Sequence, residues 1–231
     1  HTLWMMNERG RANPQHWDLA YAKAVRRAMI ELLEEHKDDD TEGTVRPQKA
    51  LWDIRNALGP NDILLSDVGS HKMWVAQFYH CDEPNTCLIP NGFCSMGGSL
   101  PGAIAAKLVH PDRRIMALCG DGGFMMNVQE LETAVRYKAN IVVVVWVDNG
   151  YNLIEWKQMN EFGHHTELSF GNPDFLKLAE AFGCAGFQVE RSRDLAPVLE
   201  AAFTCGQPAL VAVPIDYREN DRMYEKLRIT V

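Results

Sequence analysis

The apolar residues of this chain fall into short runs, and the runs alternate with stretches of helical spacing. The clearest run is Ile141–Val147 (IVVVVWV), too apolar to have a wet face. Ile63–Ser66, Thr86–Ile89, Arg114–Cys119 (RIMALC), Phe187–Glu190 and Ala209–Val213 read as further strands. Helices are expected between them at His71–Tyr79, Leu100–Val109, Val128–Tyr137, Asp174–Phe182 and Leu195–Phe203. Strands apolar along their whole length, alternating with helices, predict a parallel sheet covered on both sides. The expected fold class is α/β: a three-layer, doubly wound, mostly parallel sheet with helices on both faces.

Upstream the pattern is less regular. Residues 1–17, with Gly10, Pro14 and mixed polarity, read as an irregular arm. Asp18 is placed to cap a helix running to about Lys37, with Ala24, Ala28, Leu32 and Leu33 at helical spacing. Lys37–Pro47 (KDDDTEGTVRP) is charged and breaker-rich, hence a loop. A helix over about Gln48–Leu58 closes at Gly59-Pro60. The division this implies is an arm with a helix over 1–45 and a ligand-binding domain over 46–231. The chain begins with His rather than Met, as a piece cut from a longer polypeptide would.

Composition narrows the class. The chain has 231 residues, 46% hydrophobic and 23% charged, so it can build a core without disulfides or a structural metal. A net charge of -8 disfavours nucleic acid, whose phosphates need Lys and Arg. Cys81, Cys87, Cys94, Cys119, Cys184 and Cys205 form no C-x-x-C pair and no zinc spacing. Several lie in apolar runs, where Cys acts as a small hydrophobe, and a reducing, cytoplasmic setting is expected. No apolar run reaches membrane-spanning length, and the first residues lack a signal-peptide layout.

The chemistry concentrates in Gly120–Tyr151 (GDGGFMMNVQELETAVRYKANIVVVVWVDNGY), which reads as strand end, Gly-rich loop, helix, strand, loop. Asp148 lies 27 residues after Asp121, about one βαβ unit, so right-handed crossover geometry puts both carboxylates at one rim of the sheet. Two oxygen ligands beside a phosphate suit Mg²⁺. Gly120, Gly122 and Gly123 let the backbone turn tightly and present N–H groups, and a helix is expected to begin near Asn127 facing the same anion. Gly-Asp-Gly alone is ordinary turn chemistry; the second acidic turn one unit later makes it specific.

That spacing resembles the motif of thiamine-diphosphate enzymes. The resemblance implies metal ligation by Asp121, Asp148 and the carbonyl of Gly150; Asn149 is a rival second ligand, but the spacing favours Asp148. Asn91–Lys107 (NGFCSMGGSLPGAIAAK) resembles the family's segment for the aminopyrimidine. There Met96 takes the place of the apolar wedge that bends the cofactor, with the carbonyl of Cys94 and the N–H of Met96 on the pyrimidine. Asp67–Trp74 (DVGSHKMW) matches the loop at the diphosphate, with Gly69, Ser70 and His71 as contacts. Tyr151 is expected at the cofactor, with Leu153 and Ile154 as apolar walls near the reacting carbons. The match runs from about Arg46 to Tyr217, and its nearest family is the acetolactate synthases of catabolic type.

One position departs. Nine places after Asp148, where Gln or Trp is expected, stands Lys157, which either draws a carboxylate into the site or carries its charge to solvent, the latter being favoured. The implied reaction condenses two pyruvate to 2-acetolactate and CO₂. The glutamate that activates the cofactor is expected in a separate pyrimidine-binding domain from a neighbouring subunit, so this polypeptide is expected to bind the cofactor weakly, to be inactive alone, and to assemble as a homodimer or homotetramer with Met125 and Met126 near an interface. The rival readings are another thiamine-diphosphate decarboxylase or carboligase, and a noncatalytic α/β assembly module. A nucleotide-binding protein is disfavoured, for no G-x-x-x-x-G-K-[ST] occurs and no G-x-G-x-x-G opens a helix.

Overall fold

The computed structural model describes residues 2–12 and 18–223. Its framework is a sheet of β1 (Ile63–Ser66), β2 (Cys87–Leu88), β3 (Ile115–Gly120), β4 (Val142–Val147), β5 (Ala185–Gln188) and β6 (Ala209–Pro214). The strand order is β2-β1-β3-β4-β6-β5, and every neighbouring pair is parallel. The helices are α1 (Thr2–Ala12), α2 (Ala20–Glu34), α3 (Pro47–Ala57), α4 (Ser70–Phe78) and α5 (Ser99–Val109). They continue as α6 (Asp121–Met126), α7 (Glu130–Arg136), α8 (Asn152–Phe162), α9 (Phe175–Phe182) and α10 (Leu195–Thr204).

Alternation along the strands builds two cores. Leu64, Met116, Leu118, Val142, Val144 and Trp146 point to one face, where α3, α4 and α10 cover them through Leu51, Trp74 and Leu199. Ile63, Leu65, Ala117, Cys119, Val143 and Val145 point to the other, under α5, α7 and α9 through Ile104, Leu131 and Ala179. Residues of both sets are buried, which is why the strands read as unbroken apolar runs. The three-layer α/β fold expected from the sequence is the fold observed.

Four local differences have physical causes. Thr2–Ala12 is helical where irregular chain was expected; none of its residues is buried, so no apolar periodicity marks it, and a Glu8–Arg11 pair decorates its surface. His1 and residues 13–17, including Pro14, lie outside the described residues, as do residues 224–231. In α2 the inward face is Val25, Met29, Leu32 and Leu33, while Ala24 and Ala28 are exposed; small Ala residues carried no information about the face. Asp18 does serve the start of this helix, accepting from the Ala20 N–H at 2.9 Å. Strand β5 begins two residues before the expected one, because it lies at the sheet edge and only alternate residues are covered. The fourth difference, α6, belongs to the site.

The segment before residue 46 is stitched to the sheet. Val45 is buried and pairs with Ile215, and Leu33 joins the core. Arg191 reaches Asp40 and Glu42, and Ser192 Oγ both donates to the Asp39 carbonyl and accepts from the Thr41 N–H.

Candidate functional site

The chain leaves β1 towards the β2 edge, whereas β3 leads the other way to β4. A switch of direction between adjacent parallel strands opens a crevice outside their carboxyl ends, where ligands of open α/β sheets bind. A cleft lies there. Its walls come from four strand ends: Val68–His71 after β1, Gly120–Gly123 after β3, Asp148 and Gly150–Ile154 after β4, and Tyr217 after β6, with Met96 closing one side.

Asp121 and Asp148 both line this cleft. Parallel pairing sets Gly120 beside Trp146, so the two acidic residues leave adjacent strands at nearly one level. Asp121 is 1% exposed, and its Oδ2 accepts from the Asp148 N–H (3.2 Å), the Asn149 N–H (2.7 Å) and Asn172 Nδ2 (2.7 Å). Its Oδ1 accepts from the Gly122 N–H at 2.8 Å. Asp148 is pushed up to about 7 by burial first, then by the charges of Asp121 and Glu155. A cation beside Asp148 would relieve that penalty. Gly150 is fixed by a bridge to Ser169, with Tyr151 N–H on the Leu168 carbonyl and Phe170 N–H on that of Asn149. The side chain of Asn149 faces Asn172 and lies outside the cleft lining, whereas Asp148 is in it.

The Gly-rich segment is not the open loop expected. Asp121–Met126 forms an additional short helix, α6, capped at its end by Asn127, and the helix expected from near Asn127 follows as α7. Docking against Tyr151, Phe170 and Asp67 holds this turn despite its two glycines. A Cβ on Gly122 would stand 2.7 Å from Tyr151 Cε1, and one on Gly123 2.4 Å from Asp67 Oδ2. The Gly122 N–H is spent on Asp121 and is not free for an anion.

At the β1 end, Gly69 has φ of 152°, and a Cβ there would stand 2.9 Å from His71 Cε1. His71 is 2% exposed, and burial drives its imidazole down to about 3, against a hydrogen bond with the Asp67 backbone that favours the charged form. The ring is therefore neutral, and its Nε2 is buried without a partner among the described residues while the residue lines the cleft. A buried polar atom of this kind calls for a ligand or water. Ser70 Oγ donates to Asn152 Oδ1 at 2.6 Å, and Asn152 also accepts from Asn220, which in turn accepts from Trp74 Nε1.

Of the residues singled out from the sequence, Gly69, Ser70, His71, Met96, Gly120, Asp121, Gly122, Gly123, Asp148, Gly150, Tyr151, Leu153 and Ile154 line one cleft. Cys94 is exposed with φ of 52°, outside the lining, its Sγ 3.2 Å from Lys72 Nζ. Lys157 is exposed on α8 and also outside it. Val68, Asn152 and Tyr217 were not anticipated in the lining, nor Asp67, Asn127 and Asn172 behind it. Val68 and Asp67 stand inside the quoted DVGSH stretch, and Tyr217 ends the quoted match; the three Asn residues carry no local signal. Among the described residues no group of three or more His, Cys, Asp or Glu could hold a metal. The donors present are two carboxylates and a backbone carbonyl, a set that suits an ion completing its shell with phosphate and water. The acids, the glycine backbone that lines the cleft and the unpartnered His71 Nε2 fit a metal-diphosphate ligand.

The class follows from fold and site together. Residues 67–213 match the family model "Thiamine pyrophosphate enzyme, C-terminal TPP binding domain", and the chain belongs to that family. Within it, the chain is 40% identical over 197 residues to the catabolic acetolactate synthase of Raoultella terrigena, covering 83% of this chain and 35% of that protein. It is 38% identical over 174 residues to the acetolactate synthase of Bacillus subtilis, covering 75% and 30% respectively. It is 31% identical over 188 residues to the acetolactate synthase large subunit of Haemophilus influenzae, covering 80% and 33%. The chain thus spans about a third of the length of the curated relatives it matches. Among the described residues no helix is long and apolar enough to cross a membrane.

Proposed function

We propose that this chain is the thiamine-diphosphate and Mg²⁺-binding part of an acetolactate synthase that condenses two pyruvate to 2-acetolactate and CO₂. The observation that carries the reading is the pair Asp121 and Asp148, set on adjacent strand ends in one cleft, with burial and the charge of Asp121 opposing the ionisation of Asp148. Asp121, Asp148 and the Gly150 carbonyl would hold Mg²⁺. Gly69, His71 and the backbone at Gly120 and Gly123 lie around the diphosphate, and Ser70 steadies that wall through Asn152. Met96 would serve as the apolar wedge against the rings, and the Cys94 carbonyl and the Met96 N–H would hold the pyrimidine. Leu153 and Ile154 keep water from the reacting carbons, and Tyr151 packs on Gly122 to hold the cradle closed. When bound, thiamine diphosphate would supply carbanion chemistry at a keto-acid carbonyl; the chain's part is to orient, shield and anchor.

Residues 1–45 serve as the arm and 46–231 as the cofactor domain. The activating carboxylate comes from a pyrimidine-binding domain of a neighbouring subunit in a homodimer or homotetramer. Met125 and Met126, exposed beside the cleft at 38% and 47%, suit that contact, and this polypeptide alone is inactive. A cytoplasmic setting fits cysteines that are all free thiols. The test is calorimetric titration with thiamine diphosphate, with and without Mg²⁺, and product analysis of the full-length protein on pyruvate. Metal-dependent binding and acetolactate are expected. Free aldehyde would favour a decarboxylase, and metal-independent or absent binding would defeat the reading.

A further inference from the structure

Behind Met96 stands a second carboxylate that the cofactor reading does not use. Asp67, the residue after β1, is fully buried. It reaches across to the loop before α5: its Oδ2 accepts from the Gly97 N–H at 2.8 Å and its Oδ1 from the Gly98 N–H at 3.3 Å. The carbonyl of the same Gly97 accepts from Asn127 Nδ2 at 2.9 Å. Both polar groups of one residue are thus held by side chains from two distant parts of the chain, and that residue directly follows Met96. Gly97 has φ of 82°, a region open to glycine and strained for other residues. A Cβ there would also stand 2.8 Å from Asn127 Nδ2 and 3.1 Å from Met126 Cβ. Across the carboxylate, Gly123 leaves the room that Asp67 Oδ2 occupies.

We infer that Asp67 and Asn127 are positioning residues, a clamp on Gly97 that fixes where Met96 projects into the cleft. The inference rests on the reading of Met96 as the wedge between the rings of thiamine diphosphate. A flexible, unbranched Met is a poor wedge unless its backbone is fixed, and the loop before it, with Phe93 fully exposed, supplies no packing to fix it. The clamp supplies that rigidity from the sheet end and from the helix that carries Asp121. It joins the metal side of the cleft to the ring side without touching either ligand group.

A clamp of this kind acts on the rings and not on the diphosphate, which gives the test its readout. Affinities for Mg²⁺-thiamine diphosphate and for Mg²⁺-pyrophosphate are measured by calorimetry on the full-length wild-type protein and on Asp67→Ala, Asp67→Asn and Asn127→Ala. Loss of a charge-assisted bond predicts about tenfold or more weaker thiamine diphosphate binding for Asp67→Ala and a smaller loss for Asn127→Ala. Asp67→Asn keeps an acceptor for Gly97 and should recover part of the loss. Pyrophosphate affinity should stay within about twofold throughout. Asn127 is half-buried at the end of a helix, so its variant keeps the test open if Asp67→Ala does not fold. Parallel loss of both ligands, or loss of neither, would overturn the clamp. A wild-type protein that binds pyrophosphate with no preference for the whole cofactor would instead overturn the wedge reading beneath it.

Discussion

Replacing Asp148 by Asn should stabilise the metal-free protein, by an amount that grows with pH. Asp148 sits at about 7 against an ordinary 3.8, chiefly through burial and then through the charges of Asp121 and Glu155. About three pH units at 1.36 kcal/mol each set the penalty of the ionised form at about 4 kcal/mol. Between the two values the folded state binds more protons than the unfolded state, so stability falls as pH rises through that window. The penalty is under about 1 kcal/mol at pH 4 and complete only above about pH 7. The Asn side chain carries no charge and escapes it. Urea unfolding in a chelator, at pH 4 and pH 8, should show the difference between variant and wild type widening by about 4 kcal/mol in the variant's favour. Mg²⁺ with thiamine diphosphate should then stabilise the wild type by about 2.7 kcal/mol at a hundred times Kd. A difference that stays constant with pH would refute the reasoning, because it would mean that Asp148 ionises as an ordinary solvated carboxylate.

Asp121→Ala should abolish Mg²⁺-dependent cofactor binding in calorimetry and cost about 3 kcal/mol or more in urea unfolding, since it strands donors from Gly122, Asp148, Asn149 and Asn172; unchanged metal dependence would remove it as a ligand. Gly122→Ala should weaken thiamine diphosphate about tenfold or more, because its Cβ would meet Tyr151 and Phe170, 4.9 Å apart between centroids; wild-type affinity would show that the cradle yields. His71, at about 3, should show no imidazole titration by NMR between pH 5 and 8 in the metal-free protein. A midpoint near 6.5 would mean that water reaches the ring.

What the sequence made legible follows from what each residue reports locally. Val142–Val147 is buried on both faces, so its apolar run survives any detail of packing and reads correctly as a central strand. The two acidic turns are legible for the same reason: each follows such a run, and the crossover rule then fixes their relation. The helix α6 was not legible, because Gly122 and Gly123 are poor helix formers and the turn is held by contacts with Tyr151, Phe170 and Asp67. Asn172 lies 51 residues from the carboxylate it serves, and Asn127 lies 30 from the carbonyl it holds. A side chain whose partner is that distant leaves no periodicity and no motif. The residues that line the cleft were read from local patterns, while the groups behind them required the fold.

The same division bears on why the site can store an unfavourable charge at all. An acid held near 7 opposes folding at neutral pH, and it persists only if something else keeps the rim in place. Here the strands beneath it do so: Cys119 and Val145 are fully covered just below Asp121 and Asp148, in the core formed with α5, α7 and α9. Asp121 is locked by four donors, and the Asn149–Tyr151 turn is tied to Leu168–Phe170. The Asp121 carboxylate cannot swing out to relieve the repulsion without breaking those bonds. On the proposed reading, a cation at this rim would relieve the penalty on Asp148, which would make ligand affinity and the stability of the metal-free rim two faces of one free energy. Changes that loosen the 168–170 tether should weaken cofactor binding while stabilising the metal-free protein at high pH relative to low, although they touch no ligand atom.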